Sequence, residues 1–147
     1  MQIPKIAVVE DNVDNRLLLH AFLDGYYHLT DYEDGMSALH GLPVAIPDLV
    51  LLDISLPGID GMGVLQQIRL TRALMHLPVI ALTAHAMAGD RERLLAAGFD
   101  DYVSKPIVDE NVLLLAIARL LERNRTAVPG RTYAEPVEGG FRVAVAS

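Results

Sequence analysis

Five residues of this 147-residue chain have side chains suited to metal and phosphate chemistry, and a short apolar run leads into each site. Glu10 and Asp11 follow Ile6-Ala7-Val8-Val9, Asp53 follows Leu49-Val50-Leu51-Leu52, Thr83 follows Val79-Ile80-Ala81-Leu82, and Lys105 comes just after Tyr102-Val103. Carboxylates held together in a cleft repel one another unless a cation neutralises them. A hard divalent ion suits such oxygen donors, with Mg2+ expected and Mn2+ an acceptable substitute. Asp53, at a strand end before a loop, can also act as a nucleophile and form an aspartyl phosphate. In-line phosphoryl transfer asks mainly for charge stabilisation around the moving group, which Lys105 and a metal would supply. The Thr83 hydroxyl would donate to a phosphoryl oxygen and shift when that oxygen arrives.

Singly, each residue has an ordinary explanation. Glu10-Asp11 would cap a first helix, Thr83 a fourth, Asp53 would end a strand, and Lys105 would be solvated. Together they need elements that bring them to one place, and the hydrophobic pattern predicts those elements. Short apolar runs bounded by turn signals read as buried parallel strands. Between them lie helical segments: Val13, Leu17, Leu18, Ala21 and Phe22 at helical spacing before Asp24-Gly25; a brief helix after Asp34-Gly35, limited by Pro43 and Pro47; Met62 to Arg72; Ala86 to Ala97, stopped by Gly98; and Ile107 to about Arg123. An outer strand is expected over Tyr27 to Tyr32 and a fifth strand over Asp100 to Val103. Strands alternating with helices predict an α/β fold, a parallel sheet covered on both faces. The carboxyl ends of its strands share one rim, so the five residues form one candidate site.

The chain has 52% hydrophobic residues, no cysteine and a formal net charge of -7. It has ample material for a core, and neither a disulfide framework nor a thiolate metal site is possible. The negative charge argues against a general nucleic-acid partner, and no run approaches membrane-spanning length. A cytoplasmic location and a protein partner are the expectations. The last helix is apolar around nearly its whole circumference, which calls for either scattered exposed leucines or a docking or homodimer surface. Residues 1–123 read as one domain; residues 124–147 read as a C-terminal tail, either flexible or adding Phe141-Arg142-Val143-Ala144-Val145 as a strand to an edge.

The residues Val8-Val9-Glu10-Asp11-Asn12, Pro47 to Asp53, Leu56-Pro57-Gly58-Ile59-Asp60-Gly61, Ala81-Leu82-Thr83-Ala84 and Tyr102-Val103-Ser104-Lys105-Pro106 resemble the receiver domain of two-component response regulators, the CheY-like family. The resemblance runs from about Lys5 to Arg123. It implies a doubly wound five-stranded sheet in the order 2-1-3-4-5. It implies that Asp53 is the phosphoacceptor, that Glu10, Asp11 and Asp53 with the backbone carbonyl of Ser55 hold Mg2+, and that Thr83 and Lys105 contact the phosphoryl group. Tyr102 matches the family's aromatic switch, and the bond between Lys105 and Pro106 is expected to be cis. Ser55 and His85 match positions that influence aspartyl-phosphate lifetime; His20, His28, His40 and His76 show no ligand spacing.

The leading expectation is a stand-alone phosphorylatable receiver, not an enzyme with turnover. It would be loaded by a histidine kinase or histidine phosphotransfer protein, and would signal through a downstream protein bound at helix four, strand five and helix five. A DNA-binding output module of normal size does not fit in the tail. The alternatives are a piece of a larger hybrid kinase, a metal-dependent phosphohydrolase with Asp53 as nucleophile, a flavodoxin-like cofactor binder, and a phosphorylation-independent scaffold. The hydrolase lacks an acid two residues after Asp53, where Ser55 stands. The cofactor binder would have to place phosphate against Glu10-Asp11.

Overall fold

The computed structural model describes residues 3–84, 87–125, 132–138 and 140–145. Strands β1 (Lys5–Val9), β2 (His28–Tyr32), β3 (Leu49–Asp53), β4 (Val79–Thr83) and β5 (Asp101–Ser104) alternate with helices α1 (Val13–Leu23), α2 (Gly35–Gly41), α3 (Gly61–Leu70), α4 (Asp90–Ala97) and α5 (Glu110–Arg125). The five strands are parallel and lie in the order β2-β1-β3-β4-β5, the predicted doubly wound arrangement.

Every residue of β3 and β4 is buried, which explains why these strands read as unbroken apolar runs. The two-residue period divides them between two cores. Ile6, Val8, Leu49, Leu51, Ile80 and Leu82 pack beneath α1 and α5. Ala7, Val9, Val50, Leu52, Val79 and Ala81 pack beneath α2, α3 and α4. Each fully buried leucine or isoleucine contributes about 1.5–3 kcal/mol, enough to set the strand register against a one-residue slip.

Polar residues close the helix starts. Asn12, Asp34 and Asp60 accept hydrogen bonds from the backbone N–H of Asn15, Ser37 and Gly63, so the cap of α1 falls to Asn12 and not to Glu10 or Asp11. α2 is brief, as its flanking prolines predict.

Four details differ from the sequence-based expectation. In α1 the buried residues are Leu19 and Leu23, while Val13 and Leu17 are 57% and 63% exposed. Three leucines in succession put apolar groups on adjacent faces, and the sheet selects the face that meets Ile6, Val8 and Tyr27. α4 begins at Asp90, because Gly89 takes a left-handed conformation (φ 90°) and the Asp90 carboxylate accepts from the Met87 N–H, while Ala86, the expected start, lies outside the described residues. α5 begins at Glu110, not at Ile107, since Asp109 folds back to accept from the Asn111 N–H. Finally, Phe141 to Val145 is extended, but not on an edge of the main sheet. It belongs to β7 (Gly140–Val145), which pairs antiparallel with β6 (Thr132–Val137) in a separate hairpin.

β6 runs beside α5. On α5, Leu113, Leu114, Ala116, Ile117, Ala118, Leu120 and Leu121 are buried, an arc of about 200° at 100° per residue. An element of the same chain therefore lies against the helix whose unusual apolarity called for a cover. Among the described residues no helix is long and apolar enough to cross a membrane.

Candidate functional site

The predicted rim exists. β1, β3 and β4 are in register, with Val9 opposite Leu52 and Asp53 opposite Leu82, so the residues that follow them emerge side by side. Carboxylate oxygens of Glu10, Asp11 and Asp53 lie within 4.8 Å of one another. Lys105 Nζ reaches this group from the other side, 3.1 Å from Asp53 Oδ2 and 3.4 Å from Glu10 Oε2. Thr83, the last residue of β4, is buried, and its carbonyl accepts from the Lys105 N–H at 2.7 Å. The Lys105–Pro106 peptide is cis.

The three carboxylates differ in setting. Asp11 is exposed, whereas Glu10 and Asp53 are 1% and 2% exposed. Asp53 Oδ1 accepts from the Ser55 N–H at 3.0 Å. Glu10 is engaged at every polar atom. Its N–H donates to the Tyr32 carbonyl, and its own carbonyl accepts from Arg16 Nη1 at 2.7 Å. Its Oε1 accepts from the Asn12 N–H and the Asn15 side-chain amide, and its Oε2 from Lys105. Burial is the main reason the Glu10 carboxyl is pushed above the usual carboxylate range, and the neighbouring Asp53 charge pushes the same way; the Asn15 hydrogen bond and Lys105 pull it down.

Two nearly buried carboxylates thus share one ammonium, a deficit of positive charge in a low-dielectric cleft. The donors are all oxygen, and the exposed Asp11 leaves one side open. This set fits a hard divalent cation with part of its water shell retained.

Three contributors were not legible as site residues. Asn15 and Arg16 look like ordinary polar residues in the first turn of a helix, and only their spacing of five and six from Glu10 hints that they fold back on it. Gly61 reads as a turn former. In the structure a Cβ at Gly61 would collide with the carbonyl oxygen of Asp53, so only glycine lets the start of α3 close against that strand end.

Tyr102 is half-buried, packed against the core under α2, α3 and α4, and borders a groove of 480 Å3 between α4, β5 and α5, with Arg91, Ala116 and Arg119 on its walls. His85 lies outside the described residues. Among the described residues no histidine joins the acidic cluster. His20 instead meets Asp24 and Asp31.

A family model for the response regulator receiver domain matches residues 6–118. The chain belongs to the response regulator receiver domain family. This receiver is 36% identical over 113 residues to the sensor histidine kinase GacS of Pseudomonas protegens, covering 74% of the chain. It is 37% identical over 125 residues to the response regulator PleD of Caulobacter vibrioides, covering 84% of the chain. It spans only 12% of the length of GacS and 27% of PleD. Among solved structures, it resembles the receiver domain of sensor histidine kinase PA1611 from Pseudomonas aeruginosa PAO1, with 34% identity and a TM-score of 0.75 over 82% of this chain and 99% of that one. That structure has a magnesium ion coordinated in its active site cleft. A response regulator from Chloroflexus aurantiacus aligns with a TM-score of 0.78 and 27% identity over 83% of this chain and 100% of the other.

Proposed function

We propose that this receiver takes a phosphoryl group onto Asp53 from a phosphohistidine on a histidine kinase or histidine phosphotransfer protein, with Mg2+, and passes the signal on by protein contacts. The observation that carries the reading is the Asp53 carboxylate, nearly buried, backed by Lys105 Nζ at 3.1 Å and grouped with Glu10 and Asp11. Glu10, Asp11, Asp53 and the backbone carbonyl of Ser55 would hold the metal. When bound, Mg2+ neutralises phosphoryl oxygens and the acidic cleft.

In the transfer, an Asp53 carboxylate oxygen forms a bond to phosphorus as the phosphorus–nitrogen bond of the donor breaks. The electron pair of that bond returns to the imidazole nitrogen, which then takes up a proton. Lys105, paired with Asp53 beforehand, turns its ammonium to a phosphoryl oxygen once the carboxylate charge has gone into the acyl phosphate. Thr83 offers a hydroxyl to another phosphoryl oxygen, and its inward shift opens room for Tyr102 to follow. The groove beside Tyr102 is the face on which a downstream protein would sense this. The receiver then acts as a phosphoacceptor and switch and not as an enzyme turning over a substrate.

Intact mass measurement after incubation with acetyl phosphate and Mg2+ tests the reading. One phosphoryl adduct is expected on the wild type and none on Asp53→Asn. Equal labelling of both would remove Asp53 from its role, and repeated release of phosphate from many small esters would favour a hydrolase.

A further inference from the structure

We propose that Asn15 is a positioning residue for the metal cleft: its side-chain amide holds one oxygen of Glu10 against α1, so that the other is presented to the cluster with Asp53 and Lys105. The inference rests on the reading that this cleft takes a divalent cation. The geometry has three parts. Asn15 Nδ2 lies 3.1 Å from Glu10 Oε1. A carboxylate only accepts, so the amide must present its NH2 and not its oxygen to Glu10. The Asn15 backbone is itself fixed, because its N–H donates to the Asn12 side chain at 3.0 Å. The donor is thereby anchored by the cap of α1 before any metal arrives.

The other contacts of the Glu10 carboxylate are longer, 3.3 Å from the Asn12 N–H and 3.4 Å from Lys105 Nζ. A glutamate side chain has substantial rotamer freedom to lose, so a metal meeting a loosely held Glu10 would have to supply that ordering itself. Arg16 secures the Glu10 backbone carbonyl, and Asn15 makes the shortest of the three contacts to the carboxylate. Groups that orient metal ligands in this way change metal affinity without touching the ion.

The test is calorimetric titration of the whole protein with Mg2+ alone, together with thermal unfolding in chelator. Asn15→Leu, which keeps the approximate volume but has no donor, is expected to weaken Mg2+ binding about tenfold. Asn15→Ser, whose hydroxyl is too short to reach Glu10, is expected to do the same and serves if the leucine variant folds poorly. In a Glu10→Ala background the Asn15→Leu change is expected to have no further effect on affinity, since the side chain it positions is gone. Equal losses in both backgrounds would show a merely structural role and overturn the proposal, as would undiminished affinity in Asn15→Leu and Asn15→Ser. Wild type that takes up no Mg2+ would overturn the reading of the cleft along with the proposal, and is distinguishable because no variant would then differ from it.

Discussion

Glu10 and Asp53 withdraw two carboxylates almost completely from water, with Lys105 ion-paired to both. Their types and their places at the ends of apolar runs were legible in the sequence, because acids and a lysine at such positions have little to contribute to a core. Their supports were not. A hydrogen bond from Asn15 to a residue five positions earlier depends on how tightly the chain turns into α1, which no periodicity records. The same limit applies to His20, whose spacing suggests no role but whose Nδ1 and Nε2 lie 3.0 Å from Asp24 and 2.8 Å from Asp31. Partial burial pulls its basicity down, but the hydrogen bonds and charges of Asp31 and then Asp24 outweigh this and leave it raised above 6.5. A raised imidazole stabilises the fold below its unfolded value and loses that contribution as pH rises through the higher folded value. The His20→Gln variant is therefore expected to be less stable by about 0.5 kcal/mol near pH 5.5, after screening at this partly exposed site, and equal to wild type near pH 9. Urea denaturation at the two pH values checks it. A difference that does not change with pH would refute the ionic account.

At the scale of elements, existence and type follow from pattern while edges and faces follow from contacts. The five strands of the parallel sheet and their helices lie where runs and helical spacing predict, since both periods are local, whereas β6 has no such signal. The buried face of α1 is not written in the pattern because Leu17, Leu18 and Leu19 offer the sheet several choices. α4 and α5 start later than the pattern predicts because Gly89 takes a left-handed conformation and the Asp109 carboxylate accepts from the Asn111 N–H. The β3–α3 connection shows how such geometry serves the site. The Gly61 N–H donates to the Ile54 carbonyl, and the absent Cβ leaves space for the Asp53 carbonyl. Gly61→Ala should push α3 away from the end of β3, lower stability by roughly 1–3 kcal/mol as overpacking does, and slow labelling of Asp53. Denaturant unfolding and the rate of adduct formation measure both effects. Wild-type values for the two would show that the loop relaxes freely and that the close approach is unimportant.

At the scale of the whole molecule, parallel strand order gathers residues separated by as much as ninety-five positions, as Glu10 and Lys105 are, into one cleft. The same molecule carries the β6–β7 hairpin beside α5. A chain ending at Arg125 would lose that neighbour, and the part of α5 that β6 runs beside is expected to gain exposure. Its unfolding midpoint is expected to fall by roughly 3–6 °C, with self-association increased and Asp53 still phosphorylated. Calorimetry, sedimentation and intact mass measure these outcomes. An unchanged midpoint and monomer mass would show that the hairpin contributes nothing to the cover of α5. The alternating α/β plan, the two-sided core and the five residues of the rim are all readable from the chain, because hydrophobic period and residue chemistry are written locally. Which face of α1 is buried, what lies beside α5, and how Asn15, Arg16 and Gly61 shape the cleft emerge from the packing alone. Those outcomes depend on which surfaces and polar groups meet once the whole sheet has closed, and a one-dimensional pattern does not contain that information.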